Sequence, residues 1–365
     1  NRVRLKESLT AFAMGGHSRL GEQSPVSLLS IHLFMEIKDT LLIRGDLSQH
    51  IFAPLGFDGG YKSTATIFDP LKGTSRDTSA PPTHVQRFCV AKHPSDPAVV
   101  MVIGGEVEHG SDTSEVILYN STNDKWSQGP RLNHPRRCAA AANSSSTQQV
   151  VVTGGRPGYC PSSQSDYAKE SVEILSQDGR WVFGPDLNVN RSNHSSAELL
   201  NQMYVIDGSR ISKPGQTSVP APETEKSVER WDPRDSRGWE LLSEPLLHPR
   251  MDSGVVVVDN CMYVFGSSHE TVKCECFDPV AGKWRFIAGM PISRVYFGTV
   301  VIWNGGDHAA QEEEDEGECV WLVGGLHSMS GVKNMLSYSP KKDKWKIHNY
   351  SLSPNHAWFQ ATGLP

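Results

Sequence analysis

No run of this 365-residue chain approaches the ~20 consecutive apolar residues that a membrane-crossing helix needs. Mean hydropathy is −0.40 and charged residues make up 21%, so a soluble protein without a membrane partner is expected. An excess of positive charge is missing too. The formal net charge is −6 and the pI is near 6.2, which argues against a nucleic-acid binder held by bulk electrostatics. Cysteine is sparse: seven residues, an odd number with no regular spacing. That is unlike a disulfide framework and fits reduced thiols in the cytoplasm. Cys274 and Cys276 would share one face of a strand, but no second pair lies nearby to complete a zinc site. The 14 histidines are scattered, with no His-x-His or Glu-x-x-x-His set on an expected strand. P-loop, dinucleotide and G-x-S-x-G motifs are absent. No catalytic group, metal or cofactor is therefore expected. Asn-x-Ser/Thr sequons such as those at Asn120, Asn143, Asn193 and Asn349 are short enough motifs to arise by chance.

What the chain does have is a repeat. Six times a run of β-formers stops at a small doublet: Gly59-Gly60, Gly104-Gly105, Gly154-Gly155, Asp207-Gly208, Gly266-Ser267 and Gly324-Gly325. A second β-run follows, often closing on an aromatic or acidic turn such as Phe68-Asp69-Pro70, Trp231-Asp232-Pro233 or Phe277-Asp278-Pro279. After it come Trp126, Trp181, Trp239, Trp284 and Trp345, one per unit except the first. A repeat of roughly 45 to 60 residues with several short strands, none able to bury both faces alone, points to a β-propeller. It also explains how a single fold reaches this length, since each blade adds its own layer of core.

Residues 1–40 are of different composition. Val3, Leu5, Leu9, Phe12 and Ala13 fall near helical spacing, Gly15-Gly16 stops that run, and Ser24-Pro25 opens a second. Val26, Leu28, Leu29, His32, Leu33, Phe34 and Ile37 form an apolar stripe. The reading is a helical hairpin over 1–40 preceding an all-β domain over 41–365. The first blade lacks an innermost strand of its own, whereas Asn355–Thr362 has the pattern of a blade's start. Pairing that C-terminal strand into blade one would close the ring and leave no open edge.

The order of arginine, apolar strand, Gly-Gly, loop, aromatic-Asp-Pro and tryptophan resembles the Kelch repeat, and residues 41–365 resemble a six-bladed Kelch propeller. Blade one lacks its tryptophan, and blades four and five each lack one doublet glycine. Seven blades would be the alternative if Leu41–Arg44 belonged to a further sheet. The resemblance implies a protein-interaction module. The alternatives are a structural subunit of a large assembly and an enzyme of the same fold, such as a copper radical oxidase or a specifier or mutarotase-like protein.

Arg87, Arg137, Arg191, Arg250 and Arg294 each open the innermost strand of a blade, and His356 stands near the same place in the closing strand. Equivalent positions would ring one mouth of the central channel and suit a carboxylate or phosphate. The resemblance implies an acidic peptide, because arginines at such places in Kelch adaptors of ubiquitin ligases are similar. The other reading is that each arginine satisfies carbonyls or acids of the next blade. Long connections bearing Tyr159 and Tyr167 would border the same mouth. The acidic run Glu312–Glu316 would project from the opposite face as a solvated loop or a site for a basic partner. The segment from Ser24-Pro25 to Ile37 resembles the opening of an F-box or related cullin-linking helix, though an F-box is longer. Residues 1–40 would then reach a cullin-ligase component; otherwise they pack on a blade or cap the channel.

Overall fold

Runs such as Gln149–Thr153, Gln202–Ile206 and Cys261–Phe265 are buried at every position after the first, and all of those positions but Thr153 are apolar. Such continuity suits a strand covered on both faces by neighbouring sheets rather than one with a wet side. In a computed structural model of the chain, residues 50–53, 65–70, 72–107, 110–156, 170–210, 225–267, 272–304, 317–327, 330–332, 334–349 and 362–364 are described. They form six four-stranded antiparallel sheets and one small hairpin, Leu326–His327 with Ser330–Gly331. Helix is absent among the described residues.

The innermost strands, from blade one to blade six, are Thr362–Leu364, Cys89–His93, Ala140–Ser144, Ser195–Leu199, Gly254–Val258 and Gly298–Asn304. Each touches the next and the last touches the first, so the six sheets form a closed propeller with no place for a seventh blade. Closure is made by the C-terminus, as the sequence suggested. His50–Ala53 pairs antiparallel with Thr362–Leu364, placing His50 opposite Leu364 and Phe52 opposite Thr362. The closing strand lies later than expected, and 355–361, with Trp358 and His356, fall outside the described residues. The chain divides into two units, Asn1–Asp46 and Leu47–Pro365. All of the first lies outside the described residues, as do the helical hairpin expected there and the acidic run Glu312–Glu316.

The hydrophobic core is distributed between blades, not within them. Met101 and Val116 of blade two pack with Ala139, Val150 and Leu175 of blade three. Tyr204 and Val228 of blade four pack with Met262, Phe277 and Trp284 of blade five. Blades six, one and two meet around Trp321, Phe68 and Tyr119. On the outer strands the repeat tryptophans pack at a tilt against the aromatic residue opposite, at centroid distances of 4.9 Å for Tyr119–Trp126 and 5.1 Å for Phe277–Trp284. Their indole N–H groups reach the preceding blade: Trp126 donates to Ser79 O (2.8 Å), Trp181 to Pro130 O (2.9 Å) and Trp345 to Ala288 O (2.8 Å). These three, with Trp239, which donates to Pro185 O (3.0 Å), are apolar wedges with one satisfied polar handle, whereas Trp284 Nε1 is buried without a hydrogen-bond partner among the described residues. The doublets make a second joint. The amides of Gly105, Gly155 and Gly208 donate to the carbonyls of Arg136, Arg191 and Arg250 in the next blade, at 2.8, 3.0 and 2.9 Å.

Candidate functional site

A short lead-in segment precedes each innermost strand, and it builds the mouth of the channel. Two residues before the strand, five blades place a residue in the left-handed region: Arg87, Cys138, Asn193, Asp252 and Tyr296, with φ between 54° and 56°. Their backbones are tied in series. Cys138 N donates to Arg87 O (2.8 Å), Asn193 N to Cys138 O (2.9 Å) and Asp252 N to Asn193 O (2.8 Å). The five side chains line a cavity of about 80 Å³, together with Phe88, His194, Ser253 and Phe297 among others. A deeper cavity of about 130 Å³ shares Ser195, Ser253 and Phe297 with it, so the two lie in sequence along the channel.

The arginines expected at this mouth occupy three different places. Arg191, Arg250 and Arg294 stand four residues before the strand, beside Arg136 of blade three, and all four are fully buried. Arg191 Nη1 donates to Asp207 O (2.8 Å) and Ser227 O (3.1 Å), and its Nη2 to Ser227 Oγ (3.0 Å) and Glu229 Oε1 (2.8 Å). Arg136 and Arg250 repeat this pattern with Glu173 and Glu275. Placing Arg191, Arg250 and Arg294 at the ligand-facing mouth is therefore corrected: these guanidiniums pin the lead-in to the carbonyls and acid of their own blade. Arg87 and Arg137 stand two and three residues before the strand and remain partly exposed, at 27% and 15% of their side-chain surface. His356, Tyr159 and Tyr167 lie outside the described residues.

The pin varies between blades in a chemically consistent way. Three residues before the buried arginine, Asn133, Asn188 and Leu247 donate backbone N–H to Glu173, Glu229 and Glu275, each at 2.7 Å. Blade two has Val85 in the arginine place and Ile117 in the acid place, and the donor position is Pro82, which has no N–H to satisfy. Blade six has Leu336 in the acid place and Pro291 in the donor position. Arg294 there relies on the oxygens of Leu322, Gly324 and Asn334, at 3.1 to 3.4 Å. With no carboxylate beside it, burial lowers its pKa to about 10.

Charge at the mouth collects on blades two and three. Glu106 follows the doublet of blade two, and its Oε2 accepts from Arg137 Nη1 and forms an ion pair with Arg87 Nη1 at 3.3 Å. Arg137 Nε also lies 3.5 Å from Asp112 Oδ1. Burial pushes the Asp112 carboxyl up to about 6, against the pull of Arg137. Asp252 is pushed up to about 7 by burial, although Asn193 donates to it and Arg156 and Arg87 oppose the shift. Arg156 follows the doublet of blade three and is bridged backbone-to-backbone with Arg137. It makes no ion pair or side-chain hydrogen bond with any described residue. Sequence reading placed the connections Glu106–Thr113 and Arg156–Glu170 at this mouth but did not single out Glu106, Asp112 or Arg156, and it missed Asp252. For Glu106, Arg156 and Asp252 the signal was position, directly after a doublet or two residues before a strand; Asp112 carried no such signal. Pro135-Arg136 and Pro249-Arg250 likewise marked the buried register that the second arginine of Arg136-Arg137 obscured. Two sequons are occupied structurally: Asn143 exchanges hydrogen bonds with the Lys92 backbone, and Asn193 binds Asp252 inside the mouth.

Among the described residues, no group of three or more His, Cys, Asp or Glu is placed to hold a metal ion. The convergent groups are guanidiniums, carboxylates and amides, suited to hydrogen bonding and ion pairing. The Kelch motif family model matches residues 249–291, which span the whole of blade five. Blade five therefore carries the Kelch motif. Over longer stretches this Kelch propeller is similar to Kelch-like protein 23 of Homo sapiens, 24% identical over 315 residues, covering 83% of this chain and 49% of that protein. It is also similar to Kelch-like protein 15 of Homo sapiens, 24% identical over 275 residues, covering 70% and 42%. Kelch-like protein 25 of Xenopus tropicalis matches at 24% over 242 residues, covering 56% and 40%. The chain thus spans about half the length of the curated relatives it matches.

Proposed function

We propose that this Kelch propeller is a protein-recognition module whose channel mouth, on the side of blades two and three, grips an acidic segment of a partner protein. One observation carries the reading: Arg156 stands at the mouth beside Arg87 and Arg137 without an ion-pair partner among the described residues. A guanidinium offers five donors in a fixed fork, matched to carboxylate geometry. Its low-dielectric surroundings strengthen any pairing made there. The six cysteines among the described residues are all free, which supports a reducing compartment such as the cytoplasm.

The test is binding of acidic peptides to the intact chain, followed by fluorescence anisotropy. Arg156→Ala should weaken binding by roughly ten- to a hundredfold, the usual effect of truncating one partner of a partly buried charge pair. Thermal unfolding should stay unchanged. Equal affinity for the variant and the parent would remove the mouth from consideration. A link to ubiquitin-ligase machinery through residues 1–40 is a separable part of the proposal. Deleting 1–40 should abolish recovery of cullin components and leave peptide binding intact.

A further inference from the structure

Glu106 is placed where a ligand's carboxylate would be expected. Its Oε2 forms ion pairs with both Nη1 of Arg87, from blade two, and Nη1 of Arg137, from blade three. Its Oε1 lies 3.4 Å from Gln86 Nε2. The residue is 8% exposed. It is held by paired backbone bonds with Gln86, Gln86 N to Glu106 O at 3.0 Å and Glu106 N to Gln86 O at 2.8 Å. The positions bridged to the lead-in in other blades are Arg156, Ser209 and Leu326. Only blade two puts an acid there among these four. An incoming carboxylate aimed at Arg87 and Arg137 therefore meets a negative group already seated between them, with Asp112 3.5 Å from Arg137 on its other flank.

We infer that Glu106 is a specificity-determining residue: a built-in competitor that lowers the affinity of the mouth for acidic segments and restricts binding to partners able to displace it. This rests on the recognition reading above. A ligand that first engages Arg156 gains a contact Glu106 does not oppose, and then exchanges with Glu106 on the other two arginines. Binding free energy is the difference between the partner's contacts and the internal ones it replaces.

The experiment compares an N-acetylated hexaglutamate peptide on the parent chain, Glu106→Gln and Arg156→Ala, by anisotropy at fixed salt. Glutamine keeps the shape and removes the charge. Glu106→Gln is expected to bind the peptide on the order of tenfold more tightly. Glu106→Asp, which withdraws the carboxylate by one methylene, should show a smaller gain. If Glu106 instead holds the arginines in position for the partner, both variants bind more weakly, and the inference is overturned. Unchanged affinity overturns it equally. In either case the recognition reading survives if Arg156→Ala still loses binding. Absence of peptide binding by the parent and by Glu106→Gln would overturn both. Thermal unfolding of each variant identifies a fold defect, and a Glu106→Gln protein that does not fold leaves Glu106→Asp as the deciding comparison.

Discussion

The buried arginine pin should carry several kcal/mol, and its own variation between blades supplies the control. Arg191→Leu removes a guanidinium that makes four hydrogen bonds and strands Glu229, which is fully buried. Glu229 keeps donors from Asn188 N (2.7 Å), Asn188 Nδ2 (3.0 Å) and Val189 N (3.1 Å), but loses its counter-charge. Breaking a buried pair from one side costs about 3–5 kcal/mol. Glu229→Ile should cost a similar amount, because it leaves a buried cation and two orphaned amides. The triple variant Arg191→Val, Glu229→Ile, Asn188→Pro copies Val85, Ile117 and Pro82 of blade two. It removes both charges and one of the two amide donors together. Val189 N and the carbonyls of Asp207, Ser227 and Trp239 lose these partners, so a cost of several kcal/mol remains, still below the sum of the two charge deletions. Urea unfolding followed by tryptophan fluorescence, with midpoint and slope reported for each variant, measures this. A triple variant as unstable as that sum would refute the exchangeability of ion pair and apolar pair. An Arg191→Leu cost under ~1 kcal/mol would show that the pin carries little energy.

Ring closure predicts that Leu364→Ala, at a position 3% exposed and paired with His50, costs about 2–5 kcal/mol. Limited proteolysis should then cut blade one first. Gly105→Ala should cost more than about 2 kcal/mol, because φ is +104° and a Cβ would stand 2.6 Å from Gln86 O. Gly282→Ala, at φ +64° with nothing within 4 Å, isolates the backbone strain and should cost only about 1 kcal/mol by the same unfolding assay. Stability should also depend on pH from both sides. Asp252 rises from 3.8 to about 7 on folding, so its contribution is fully present below about pH 4 and is lost as pH rises through 7. Asp252→Asn should therefore be neutral at pH 4 and stabilise at pH 8 by about 1–2 kcal/mol, a discounted figure because the side chain borders the channel. Burial, with Arg191 second, lowers His194 from 6.5 to about 3, so its contribution is present above pH 6.5 and erodes by about 1.4 kcal/mol per unit below it. Unfolding midpoints of His194→Gln between pH 4 and 8 should show a flatter acid limb.

The blade plan was legible because its signals are local and repeated. A doublet glycine is demanded by a left-handed backbone pressed against the next blade. The tryptophan recurs because one large side chain must fill each gap between sheets. Asp207 could replace a doublet glycine because aspartate tolerates the left-handed region, where it sits at φ 59°. The mouth was less legible, since its register depends on lead-in lengths that proline-rich linkers disguise. Arg136-Arg137 illustrates the difficulty: neighbours in sequence, one is sealed behind Glu173 and the other reaches Glu106. No periodicity distinguishes them. Only the pairing of Ala140 with Thr153 fixes which arginine stands four residues before the strand.

That register separates what the fold requires from what it leaves to choice. At the buried position four residues before the strand, the side chain is arginine in four blades and valine in one, each matched to its surroundings. Two residues later the backbone is again nearly identical, yet the side chains are arginine, cysteine, asparagine, aspartate and tyrosine. Asparagine and aspartate enter the left-handed region cheaply, whereas arginine, cysteine and tyrosine do so at a cost of order 1 kcal/mol each. Glycine or asparagine at all five places would satisfy the backbone best. Those costlier side chains therefore answer to the cavity they face rather than to the turn that holds them. A framework that standardises the turn while varying its side chain presents different chemistry from each blade to one ligand. On the recognition reading proposed above, the concentration of charge on blades two and three would give a partner a preferred side on which to bind.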